Sequence, residues 1–201
     1  MGRPRSRRDD NLRRQVAYFA ARLVAEEGMT DYWLAKQKAA RQAGVTDSRL
    51  LPDNHEVEDA VREYQGLYQR EQQPGQLRHL REVAAKVMRE LSAFRPHLVG
   101  SVLNGTANRH SVVSLQLFVD DTKALSLFLL NRRWGYELVE KLVKSGEGWN
   151  RVPQFVLEVD GEPVTLTVYA LLDERNAPRG RTSGELPARA NLAEVEALLA
   201  A

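Results

Sequence analysis

Apolar residues recur every three or four positions through the first half of the chain and every second position through most of the second half. From Asn11 to about Gly28, Leu12, Val16, Phe19, Ala20 and Leu23 form one stripe, and Gly28 is placed to end the helix. Tyr32, Ala35 and Ala39, beside Trp33 and Leu34, predict a short second helix that stops near Gly44. Asp53 followed three residues later by Glu56 is a capping-box signature for a third helix, with Val57, Val61, Tyr64 and Tyr68 as its inward stripe. Two tyrosines four residues apart could stack bases, but their place in an apolar stripe reads as packing. Gln72-Gln73-Pro74-Gly75 predicts a turn, and a fourth helix over 74–93 carries Leu77, Leu80, Ala84, Val87 and Leu91 on one face.

After Pro96 the period falls to two. Leu98 to Ser101 predicts a short strand, and residues 114–119 predict a longer one with Leu115, Leu117 and Val119 on a shared face. Asp121 or Thr122 caps a helix running through Leu130. Around Tyr136 the pattern fits an edge strand, and Glu137 to Lys144 fits a helix equally well. Residues 153–159 and 163–171 flank Asp160-Gly161, a strong hairpin turn because a type I′ turn places both central residues at positive φ. Asp173 to Ala190 has the composition of a loop, and Asn191 caps a closing helix with Leu192, Val195 and Leu199 inward. These elements predict a basic helical region over residues 1–73 and an α+β domain with a C-terminal helix over 74–201.

Composition narrows the chemistry. The chain has no cysteine, which removes disulfides, thiol nucleophiles and Cys-based metal sites. No apolar run approaches the roughly 20 residues of a membrane span, so the expectation is a cytoplasmic protein without a membrane partner. The net charge of +2 is unevenly distributed: residues 1–50 hold eleven Lys/Arg against six acids. Arg3, Arg5, Arg7, Arg8, Lys36 and Lys38 are therefore the candidates for contact with nucleic-acid phosphates. His55, His79, His97 and His110 are scattered, without a zinc-binding pair.

The segment from Leu98 to Asp121 carries the most specific pattern. Gly100-Ser101, then Gly105-Thr106-Ala107 and Asn108-Arg109-His110-Ser111 leading into an apolar strand, resembles the polymerase-beta-like nucleotidyltransferase superfamily, and within it small proteobacterial nucleotidyltransferase-domain proteins. The likeness covers roughly residues 77–169. It implies a mixed β-sheet with packed helices, and a Gly-Ser turn that grips a triphosphate. It also implies an Asp-x-Asp pair on the next strand and a third acid on a neighbouring one, together holding Mg2+ for nucleotidyl transfer. Two acids one residue apart on a strand face the same side and so can share metals, which bind carboxylates plus phosphate oxygens.

At the matching positions this chain has Val112, Ser114 and Thr165. Valine offers a metal nothing, and neutral hydroxyls are weak ligands by comparison. Asp120, Asp121, Glu158 and Asp160 are the nearest substitutes, although Asp121 and Asp160 already have capping and turn roles. Gly100, Ser101, Asn104 and Arg109 are the nucleotide- or phosphate-binding candidates; Asn104 stands where such motifs frequently have arginine.

The leading expectation is a catalytically inactive nucleotidyltransferase-like protein that binds a nucleotide, a nucleic acid or a protein, with no cofactor. The first alternative is an active enzyme with relocated acids, which alone would require Mg2+. The second is a nucleic-acid-binding module built on the basic N-terminal region.

Overall fold

The computed structural model describes residues 7–145, 148–175 and 189–200, and two compact units divide the chain at 73/74. The first holds α1 (Arg7–Glu27), α2 (Tyr32–Gln42) and α3 (Asn54–Tyr68). Val16, Ala20, Leu23 and Val24 of α1 meet Ala35 and Ala39 of α2 and Val57, Val61 and Tyr64 of α3 in one buried cluster. The alanines let the helices approach closely. Asp53 and Glu56 form the predicted reciprocal box, and Asp31 caps α2 as well, accepting from the Trp33 and Leu34 amides. Arg13 ties α1 to α3, donating to Glu56 Oε1 (2.7 Å) and to the Leu51 carbonyl (2.6 Å).

Tyr68 departs from the predicted stripe. It is 63% exposed, because it is the last residue of α3 and lays its ring on Tyr64, 4.6 Å between centroids, instead of entering the core. Tyr64 is buried and donates its hydroxyl to Glu26, which pushes the phenol up to about 12.

The second unit contains α4 (Gln73–Glu90), β1 (His97–Val99), α5 (Ser101–Asn104), β2 (Val113–Phe118) and α6 (Thr122–Asn131). It continues through β3 (Tyr136–Ser145), β4 (Gly148–Val159), β5 (Glu162–Tyr169) and α7 (Leu192–Ala200). Of the predicted turn at 72–75 only Gln72 lies in a turn; Gln73, Pro74 and Gly75 form the first turn of α4, where the missing amide of Pro74 costs no intrahelical bond. The strand expected over 98–101 ends at Val99, and Ser101 opens the short α5. The ambiguous segment after Tyr136 is a strand, paired with β4 from Tyr136↔Leu157 to Ser145↔Gly148. Asp160 and Gly161 form the hairpin turn at φ 55° and 81°. Of the predicted loop, Leu171–Glu174 forms a 3-10 turn and Ala190 bridges to Leu98. Residues 176–188 lie outside the described residues.

The sheet order is β1-β2-β5-β4-β3, with β2 and β5 parallel and every other pair antiparallel. Alternation decides what each face carries. Leu98, Leu115, Leu166 and Phe155 form one continuous cross-strand row, each at most 1% exposed. Leu80, Ala84 and Val87 of α4, Leu125 and Leu129 of α6 and Val195 of α7 join that core. The intervening residues of β1, β2, β5 and β4 therefore present the opposite face, and that face bears the candidate site. No helix among the described residues is long and apolar enough to cross a membrane.

Candidate functional site

The turn after β1 depends on Gly100. Its backbone sits at φ 78°, ψ −157°, a region that side chains disfavour strongly, although a Cβ there would meet only Ser114 Cβ at 4.0 Å. Conformation, and not space, demands glycine. Gly100→Ala is accordingly expected to destabilise the protein by about 1–3 kcal/mol, measured as a lower urea midpoint with an unchanged slope.

The link from Ser101 to β2 is closely tied down. Arg81 of α4 donates to the carbonyls of Val102 (3.1 Å) and Leu103 (3.3 Å), holding the end of α5. Asn108 organises the following turn: its amide donates to Ser111 Oγ (2.9 Å), and its Oδ1 accepts from the His110 amide (2.8 Å). Ser101 Oγ lies 3.3 Å from Ser111 Oγ.

Across the strand gap, Ser114 and Thr165 are register partners on parallel β2 and β5, with hydroxyl oxygens 3.4 Å apart. The fold thus brings together Gly100, Ser101, Ser111, Ser114 and Thr165, with Val112 leading into β2. Of the three positions where the resemblance expects acids, hydroxyls occupy two, and those two face each other. Of the other phosphate candidates, Asn104 is half-buried on α5. Arg109 is exposed, its Nε donating to His110 Nε2 at 3.0 Å.

The residues that the resemblance would assign to Mg2+ do not fit it. A hard dication needs oxygen ligands with negative charge, and Val112, Ser114 and Thr165 supply none. Substitutes are mostly engaged elsewhere. Asp120 accepts from the Leu171 amide (3.1 Å), Asp121 caps α6 through Lys123 and Ala124, and Asp160 binds Lys86 Nζ at 2.7 and 2.8 Å. Glu158 is exposed and shares the face of Thr165, one strand over and displaced along the strand. Among the described residues no three His, Cys, Asp or Glu side chains converge.

A second polar row lies beside the hydroxyls and belongs to no motif. Register places His97, Gln116, Thr167 and Gln154 side by side across β1, β2, β5 and β4. Gln116 is 7% exposed and its Oε1 has no hydrogen-bond partner among the described residues, whereas Thr167 Oγ1 accepts from Gln154 Nε2 at 2.9 Å. An orphaned buried amide oxygen costs about 1–3 kcal/mol, so it marks a place where a donor is wanted.

Beyond this row, Phe118 and Tyr169 stack at 5.7 Å, with Arg189 5.2 Å over the Phe118 ring. Burial, and then the nearby Asp173 charge, push the Tyr169 phenol up to about 12. The sequence carries a signal for this surface in the alternation Ser114-x-Gln116 and Thr165-x-Thr167, two polar sets on strands that otherwise read as core. Only their pairing shows that they form one surface.

The basic candidates of the first unit separate. Arg3 and Arg5 lie outside the described residues; Arg7 and Arg8 are exposed in the first turn of α1. Lys38 is paired with Glu27 at 2.6 Å. Lys36 corrects the expectation of a solvent-facing cation: it is buried, its Nζ donates to Asn54 Oδ1 at 2.9 Å, and burial lowers its pKa. An open cleft of about 780 Å³ between α1 and α3 is lined by Arg13 and Arg14 but also by Asp10, Glu56, Asp59 and Glu63, a balance that does not select a polyanion.

No protein-family model matches the chain, and it matches neither a curated protein nor a solved structure.

Proposed function

We propose that the chain is a nucleotidyltransferase-like binding protein without metal-dependent transfer, and that it holds a nucleotide through the hydroxyl and amide face of its sheet. The observation that carries the reading is the convergence of Gly100-Ser101 with Ser114 and Thr165. A Gly-Ser turn stands beside paired strand positions that carry hydroxyls in place of carboxylates. Hydroxyls both donate and accept, so such a face suits a ligand's sugar, base and phosphate oxygens without a bridging cation. Gln116 supports the same reading, because an amide reads a donor–acceptor edge of the kind a nucleobase presents.

The test is titration calorimetry of the full chain with ATP and with GTP, with and without Mg2+, paired with an assay for release of labelled pyrophosphate. Binding is expected to be unchanged when Mg2+ is removed, weakened in Ser101→Ala, and unaccompanied by turnover. Tight binding only with Mg2+ together with turnover would favour the active-enzyme alternative. Absence of binding to either nucleotide would sink the nucleotide reading.

A further inference from the structure

β3 ends the sheet, and among the described residues its outer edge pairs with no strand. Among the described residues, no backbone hydrogen bond joins 136–143 to any element other than β4. An edge of this length is a template for another strand unless it is blunted by bulges, prolines, a covering segment or charged side chains, and charges on the edge admit a partner only where they meet opposite ones. β3 contains no proline, and it exposes Leu138 at 56% and Leu142 at 46%. Glu137 and Lys141 are exposed on the opposite side of the strand, neither with an ion-pair partner among the described residues. Glu140 is engaged by Arg151 of β4 at 2.9 Å.

We infer that this edge pairs antiparallel with the same edge of a second copy of the chain, in a register centred on Val139. A two-fold axis between antiparallel edge strands runs perpendicular to the sheet, so opposed residues share a face and the axis passes through one residue pair. Centring on Val139 places Glu137 opposite Lys141 twice, Tyr136 opposite Leu142 twice, and Val139 opposite itself. Both charges find opposite charges and Tyr136 meets Leu142 on the other face, where Leu138 lies opposite Glu140, a carboxylate that Arg151 of its own chain already neutralises.

The neighbouring registers all lose the pairing of Glu137 with Lys141. Centred on Glu140 the interface opposes two glutamates, and centred on Lys141 two lysines; centred on Leu138 it sets Glu137 against Val139 and Glu140 against Tyr136. Like charges directly opposed are destabilising, as opposite charges are favourable. The strand is self-complementary in one of these four registers.

Sedimentation equilibrium of the full chain is expected to show a reversible dimer. Glu137→Lys alone, or Lys141→Glu alone, is expected to weaken it about tenfold, and the two together to restore it, since the pair is only exchanged. Far-ultraviolet circular dichroism identical to the parent's establishes that each variant is folded. The natural chain has no cysteine, so Val139→Cys provides a clean register test. It is expected to form a disulfide-linked dimer under oxidation, while Leu138→Cys, whose opposite neighbour is Glu140, does not. A monomer at every concentration, a dimer indifferent to the single charge reversals, or a double variant as weak as the singles overturns the inference.

Discussion

Leu166→Ala is expected to remove about 3 kcal/mol of stability from the second unit. Leu166 has no exposed surface and lies on β5 between Leu115 of β2 and Phe155 of β4, in the row that continues to Leu98. Truncation loses the transfer free energy of the removed carbons. It also leaves a cavity that strands hydrogen-bonded on both sides cannot close, which puts the cost within the range of about 2–5 kcal/mol seen for buried leucines. Trp134 packs against this same core, and its fluorescence reports the transition once Trp33 of the three-helix unit is replaced by phenylalanine. A chemical-denaturation midpoint within error of the parent's would show that the row is not the core of this unit.

The second large effect is expected from introducing acids at the site. In Ser114→Asp combined with Thr165→Asp, two carboxylates replace hydroxyls that stand 3.4 Å apart on paired strands. Like charges at that separation raise each other's pKa and oppose folding, by about 2–4 kcal/mol at neutral pH. One or both carboxyls have a folded-state pKa above the unfolded value, so the penalty is absent in acid and grows as pH rises past the unfolded carboxyl pKa near 4.

Mg2+ neutralises the same pair, so the double variant is expected to gain thermal stability with added Mg2+, while the natural chain does not. Paired thermal melts at neutral pH, with Mg2+ and with chelator, read both arms. A natural chain that is itself stabilised by Mg2+ would show that acids elsewhere hold the metal, and would reverse the proposed loss of metal-dependent chemistry.

Much of the fold is legible in local signals. Capping boxes, the Asp160-Gly161 turn and the alternation in β2 and β5 are of this kind: one residue's side chain satisfies an amide three residues away or fixes its own φ. They carry through to the α+β architecture with little change. The Gly100-Ser101 turn is equally legible, since a positive φ at that position leaves few residues to choose from. Where local signals balance, as in residues 137–144, propensity favours neither helix nor strand, and pairing with β4 decides for a strand. Tyr68 and Lys36 show the same limit at single residues: periodicity places one inward and composition places the other outward, and each is reversed by its neighbours.

The amino-acid sequence by itself determined which residues would be apolar on one face, where helices begin, and that Val112, Ser114 and Thr165 carry no carboxylate. Those are properties of composition and of spacings shorter than about two helical turns. Only the tertiary structure decided that Ser114 faces Thr165 across a parallel pair, that Gln116 is buried, and that β3 is the last strand of the sheet among the described residues. The central β2–β5 pairing joins residues 51 positions apart, as in Ser114↔Thr165, and is set by which apolar faces can be buried together, which no local rule encodes.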